Sequence, residues 1–114
     1  MDFKLSKKHQ LQQELYRRFA QNEVKPIARE MDENEKFSLE LLAKMQKCGF
    51  LGIAFPREYG GAGADTLSYV LCMEELAKVD SSTALTVSVH SSLCCSCIHD
   101  FGTEEQKQQY LRPL

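Results

Sequence analysis

His90, Cys94, Cys95, Cys97 and His99 carry the side chains from which metal centres and nucleophiles are built, and they lie within ten positions. On a helix, His90, Cys94 and Cys97 share one face at i, i+4 and i+7, while Cys95 and His99 share another. A tetrahedral zinc site draws its ligands from two separate pieces of backbone, commonly with a C-x₂₋₄-C knuckle. No second ligand pair accompanies this cluster, because Cys48, Cys72 and His9 each stand alone. A metal is therefore not expected, and the cysteines read as small buried hydrophobes. A Cys/His nucleophile pair would need a third, orienting group, and Asp100 lies too far around the helix to supply it.

Two further constellations invite chemistry. Glu74 and Glu75 are neighbours in the chain. On a helix they point about 100° apart, so they cannot work as a carboxylate pair and read as structural. The run PREYGGAGA at 56–64 could be a phosphate cradle. Gly61 and Gly63 supply half of a dinucleotide fingerprint, but Thr66 stands where its third glycine belongs, and no GK[ST] follows. A tight turn between packed helices is the better reading.

The elements that position these groups follow from periodicity and caps. Ser6 caps a first long helix whose buried face is expected to carry Leu11, Leu15, Phe19, Val24, Ile27 and Met31. Pro26 should kink that helix or end it near Lys25. Ser38 caps a second helix, with Phe37 and Leu42 at staple spacing, Leu39, Leu42 and Met45 facing inward, and Gly49 as its stop. The apolar run Phe50–Phe55 has no pairing partner and is expected to be an extended buried connector. Asp65 or Thr66 opens a third helix, with Leu67, Val70, Leu71 and Leu76 on its inner face. Asp80 or Ser81 opens a fourth, which Gly102 closes. Thr103 and Gln106 form a capping box for a fifth, running to about Leu111 before Pro113.

The fourth helix is the central one. From Ser81 to Ile98 it holds no Asp, Glu, Lys or Arg, yet half of those positions are Ser, Thr or His. Short side chains without charge predict a helix enclosed by protein on most sides. Leu85, Val89 and Leu93 recur every fourth position as one apolar lane, with Ser88, Ser92 and Ser96 leaving room beside it. Such a lane is either filled by neighbouring helices or left as the wall of a slot for a thin hydrophobic ligand.

At 114 residues and 43% hydrophobic content the chain has material for one domain, 1–114, with one modest core. A net charge of −2 offers no basic face for nucleic acid. No secretory signal opens the sequence. The Ser81–Ile98 stretch approaches the roughly 20 residues of a membrane span, but its hydroxyls and histidine argue against one. Five cysteines, three of them in CCSC, suit a reducing cytosol rather than a disulfide framework, so a cytoplasmic setting is expected. The expected fold is all-α, an up-and-down bundle of four to five helices with a Gly-rich loop.

Three segments occur in an order and spacing that carry further meaning: PREYGGAG at 56–63, EELAKVDSS at 74–82 and HSSLCCSCIHDFGTEEQKQQYL at 90–111. Together they resemble the N-terminal helical domain of the flavin-dependent acyl-CoA dehydrogenases, over essentially the whole chain. Among these the sequence is similar to the short-chain, butyryl-type bacterial members. The resemblance implies a longer enzyme with a middle β-domain and a C-terminal helical bundle. In that family a carboxylate removes the α-proton of an acyl-CoA thioester, and the β-hydrogen passes as hydride to FAD. Electrons then go to electron-transferring flavoprotein, and the intact assembly is expected to be a homotetramer. The base and the main flavin contacts belong to the later domains, so these residues are expected to be inactive alone and, with a large apolar face uncovered, to self-associate or be only marginally stable.

The resemblance also assigns positions. Aligned through Ser92-Leu93, the acyl-cavity lining falls on Leu85, Val89 and Leu93, and bulk at Leu85 and Val89 implies a short acyl chain. The hollow that receives an apolar side chain of the partner flavoprotein falls on Phe19, Phe50, Ala62 and Cys72. One departure stands out: relatives commonly carry proline where this chain has Cys97. An acyl-CoA oxidase would share this domain, and a free-standing helical interaction module is the reading from another class.

Overall fold

Ser6 accepts a hydrogen bond from the His9 amide at 3.2 Å and so begins α1 (Lys7–Phe19), the first helix of a computed structural model that describes residues 1–114. The helix does not end before Pro26. It widens into a π turn at Ala20–Val24 and continues as α2 (Lys25–Asn34), with the proline in its first turn. Proline lacks an N–H, and the i→i+5 register just ahead of it lets the backbone pass without a broken ladder. Ser38 caps α3 (Leu39–Lys47), whose chain then turns at Gly49 with φ +78°, where a side chain would be strained.

The apolar run after Gly49 is not extended. It forms a 3₁₀ turn at Phe50–Gly52, with Phe50 and Ile53 buried, and a second 3₁₀ turn follows it at Arg57–Tyr59. No strand is present to satisfy its backbone, so the chain satisfies it locally, as in Gly52 N–H to Gly49 O at 3.3 Å. The Gly-rich loop folds back onto this turn. The Ala62 amide donates to Gly52 O at 2.8 Å, and Gly63 donates to Phe55 O at 2.9 Å. Gly61 comes so close that a Cβ there would sit 2.2 Å from Phe55 O.

Asp65 caps α4 (Thr66–Ala77) and Asp80 caps α5 (Ser81–Val89). The latter runs through a π turn at His90–Cys95 into α6 (Ser96–Phe101), which passes Cys97 without interruption. Thr103 and Gln106 complete both halves of a capping box at α7 (Glu104–Gln106), prolonged by a π turn to Leu111. In all, five continuous helical pieces form an all-helical fold without strands.

Helices α1 and α4 lie side by side and run parallel. His9 pairs with Asp65, Gln12 with Ser68 and Arg17 with Glu75, at nearly constant sequence offsets of 56, 56 and 58. Between them and α3 and α5 lies the core, in which Phe50 meets Phe19 edge-on at 4.7 Å and Tyr16 at 5.3 Å. The inward faces agree with those expected at Phe19, Val24, Met45, Leu71 and Leu76 and differ elsewhere. Leu11 and Leu15 point outward, while Tyr16, Phe19, Ala20 and Val24 are buried. Leu39 is exposed and Leu41 takes its place beside Met45. On α4, Leu67 and Val70 are partly exposed, while Ser68, Leu71, Cys72, Glu75 and Leu76 face inward. On α4 the inward Ser68 and Glu75 hydrogen-bond to Gln12 and Arg17 of α1, pairings that Leu67 and Val70 could not make.

Candidate functional site

The central helix has two faces of opposite character. Thr83, Ala84, Val87, Ser91 and Cys95 are buried against the bundle. Leu85, Val89 and Leu93 point away from it, 62%, 40% and 67% exposed. The bundle therefore packs on the small-residue face and leaves the apolar lane open; the chain's own helices do not fill it, and the helix is not enclosed on most sides. Cys97 and Phe101 continue the same four-residue spacing and are also exposed. The i+4 recurrence runs on to Phe101 in the sequence, but the π turn at His90–Cys95 shifts the helical register between Val89 and Cys97.

Three hydroxyls bordering this lane are already occupied. Thr86 donates to Ser82 O at 2.9 Å, Ser92 to Ser88 O at 2.7 Å and Ser96 to Ser91 O at 3.0 Å. Hydroxyls turned back on their own helix carry little cost when water is removed. The face is thus suited to contact with an apolar chain rather than to chemistry on it.

The thiol–imidazole cluster separates. Cys94 and Cys97 are exposed and Cys95 is buried. The π turn brings Cys95 Sγ within 3.4 Å of His90 Nε2, an i,i+5 contact that an α-helix would not make. Burial, with Cys94 adding to it, pushes the Cys95 thiol up to about 11, and burial alone pushes Cys72 up to about 12. Both thiols stay protonated near neutral pH, which is the state of an inert structural cysteine rather than a nucleophile. Of the two glutamates, Glu74 is exposed. Glu75 is buried and accepts from Arg17 at 3.3 Å and Lys78 at 3.1 Å.

Of the second group of predicted residues, Phe19, Phe50 and Cys72 come together in the main core. Ala62 does not join them; it is exposed on the loop, with its Cβ 4.0 Å from where a Cβ on Gly49 would stand. A cleft of about 250 Å³ opens where the loop meets the end of the chain, lined in part by Leu51, Phe55, Tyr59, Cys95 and Leu111. Tyr59 crosses its edge, and its hydroxyl donates to Glu104 at 2.7 Å. The amides of Gly61, Ala62 and Gly63 are bonded to Pro56 O, Gly52 O and Phe55 O, so the Gly-rich loop itself offers no free amides to cradle a diphosphate. No helix is long and apolar enough to cross a membrane.

Residues 6–114 match the family model described as the N-terminal domain of acyl-CoA dehydrogenase. Over 114 residues the chain is 54% identical to the short-chain-specific acyl-CoA dehydrogenase of Clostridium acetobutylicum, covering 100% of this chain and 30% of that protein. It superposes on butyryl-CoA dehydrogenase from Megasphaera elsdenii with a TM-score of 0.91 and 39% identity, over 99% of this chain and 30% of the other. A chain in a solved structure concerned with the electron-transferring flavoprotein of Acidaminococcus fermentans and flavin-based electron bifurcation gives a TM-score of 0.95 at 47% identity, again over 99% and 30%. The chain thus spans about 30% of the length of these relatives.

Proposed function

Because the chain belongs to the acyl-CoA dehydrogenase family, as its N-terminal helical domain, we propose that it forms one wall of the acyl cavity in a flavin-dependent enzyme that dehydrogenates short-chain acyl-CoA thioesters between the α and β carbons. The observation that carries this reading is the open apolar lane of Leu85, Val89 and Leu93 on a helix where the neighbouring Thr86 and Ser92 hydroxyls are bonded back to their own backbone. An acyl chain laid along that lane loses water without stranding a polar group. Leu85 and Val89 add bulk at one end of the lane, which favours a short chain.

In this reading the base and the flavin site lie outside these residues, and FAD supplies the hydride acceptor when bound there. The residues described here do no proton transfer; they orient the acyl chain and keep water from it. The intact enzyme is a homotetramer of the cytoplasm that passes electrons to an electron-transferring flavoprotein. That partner docks beside α1, over the region where Phe19, Phe50 and Cys72 form a buried floor and Ala62 an exposed corner. The relatives' names support both the substrate class and the partner.

The test uses the protein encoded by the complete reading frame, purified with its flavin. Anaerobic addition of butyryl-CoA should bleach the oxidised flavin absorbance and yield the α,β-enoyl thioester. Unchanged absorbance with every thioester from butyryl to octanoyl would overturn the reading.

A further inference from the structure

We propose that a recess beside the apolar lane receives the hydroxyphenyl ring of a β-arylpropanoyl thioester, so that the enzyme takes aryl as well as alkyl substrates. This rests on the reading above that the lane holds an acyl chain. The recess lies between the first turn of α4 and the central helix and measures about 180 Å³. Ser92 and Ser96 line it from the central helix, Thr66 and Tyr69 from α4, and Ala54 and Phe55 from the turn that precedes α4. Ser92 is the chain neighbour of Leu93, so a ring turned aside from the lane enters the recess there.

Size and chemistry decide the occupant. A cavity of roughly 150 Å³ holds benzene, so a single six-membered ring fits. Phe55 and Tyr69 give the recess aromatic sides, which suit a further ring. No charged residue lines it, so a carboxylate or ammonium would lose water without gaining a counter-ion. Its hydroxyls are acceptors. Ser92 donates to Ser88 O at 2.7 Å, Ser96 to Ser91 O at 3.0 Å and Tyr69 to Ser88 Oγ at 3.1 Å. Each has used its one O–H and keeps oxygen lone pairs. Thr66 is the exception: the Asp65 cap engages Ser68 instead, and the Thr66 hydroxyl is free to give and to accept. A phenyl ring fills this space, and a phenol O–H adds a hydrogen bond that phenyl lacks. At the α and β carbons the chemistry is that of the reading above: a proton leaves one, a hydride leaves the other for FAD, and the new double bond is conjugated with the ring.

The experiment follows dye-linked turnover of butyryl-CoA, phenylpropanoyl-CoA and its para-hydroxyphenyl analogue by the complete flavin-loaded protein and by its Ala54→Phe and Thr66→Val variants. The native enzyme should oxidise both aryl thioesters, with kcat/KM for the hydroxyphenyl compound about threefold to tenfold above that for the phenyl compound, as one neutral hydrogen bond allows. Ala54→Phe fills the recess from an exposed position and should lower the aryl-to-butyryl ratio of kcat/KM about tenfold or more. Taking the ratio discounts any loss of folded enzyme. Thr66→Val should bring the two aryl thioesters close to parity. Turnover of butyryl-CoA with neither aryl thioester accepted would overturn the proposal and leave the acyl reading standing. So would an aryl-to-butyryl ratio that Ala54→Phe leaves unchanged, since the ring would then lie elsewhere. A native enzyme that oxidises no thioester at all would overturn the acyl reading, and this recess as an aryl site with it.

Discussion

Two carboxylates tie α1 to α4, and both are held in their charged forms. Burial works against ionisation of Glu75, but hydrogen bonds from Arg17 and Lys78 outweigh it and bring the carboxyl below its usual range. Asp65 is lowered much further by hydrogen bonds from the Ser68 hydroxyl and amide, and then from His9, whose Nε2–H donates at 2.8 Å. Both native pKa values lie below those of the unfolded chain, so the unfolded state binds more protons in acid. The stability these groups contribute is fully present above the ordinary carboxylate pKa of about 4 and is lost as pH falls through the lowered native values. Urea unfolding should show a midpoint that is flat near neutrality and drops in acid. Glu75→Gln should cost about 1–3 kcal/mol at pH 7, because it weakens two charge-assisted bonds in a buried place, and it should make the acid slope shallower. A Glu75→Gln chain with native stability at pH 7 would show that the pairing contributes nothing net.

At the scale of elements, local signals were legible and tertiary choices were not. Ser6, Ser38, Asp65, Asp80 and Thr103 all cap the helices their sequence positions suggested, because a cap is satisfied within a few residues of itself. The inward faces were legible in part: Phe19, Val24, Leu71 and Leu76 are buried as expected, whereas Leu11, Leu15, Leu67 and Val70 are exposed and Tyr16, Ser68 and Cys72 are buried instead. Nothing in composition announced the π turns, although Pro26 marked a point where the α-helical ladder had to change. The Gly-rich loop was correctly read as a turn, but its tightness was visible only in three dimensions. Gly61→Ala places a Cβ 2.2 Å from Phe55 O, against backbone that cannot rotate away. The expected loss is on the order of 2 kcal/mol or more, seen as a lower urea midpoint, whereas Ala62→Gly on the exposed neighbour should change it by less than about 1 kcal/mol. Equal midpoints for Gly61→Ala and the parent chain would contradict this packing.

For the whole molecule, the central helix joins a bundle on one side and presents an apolar lane on the other. The absence of charge and the i+4 recurrence of Leu85, Val89 and Leu93 were readable, as was the family signature from PREYGGAG onward. Which side the bundle would occupy was not readable, because small residues and leucines are both compatible with burial and only the identity of the neighbouring helices decides. The account's central claim is that this lane bounds the acyl chain, and it is tested by removing its bulk. In the complete enzyme, Leu85→Ala/Val89→Ala should raise kcat/KM for hexanoyl- and octanoyl-CoA relative to butyryl-CoA by about tenfold or more, since each methylene admitted to an apolar pocket is worth roughly 1 kcal/mol. An unchanged ratio across the acyl series, with turnover of butyryl-CoA intact, would contradict the claim.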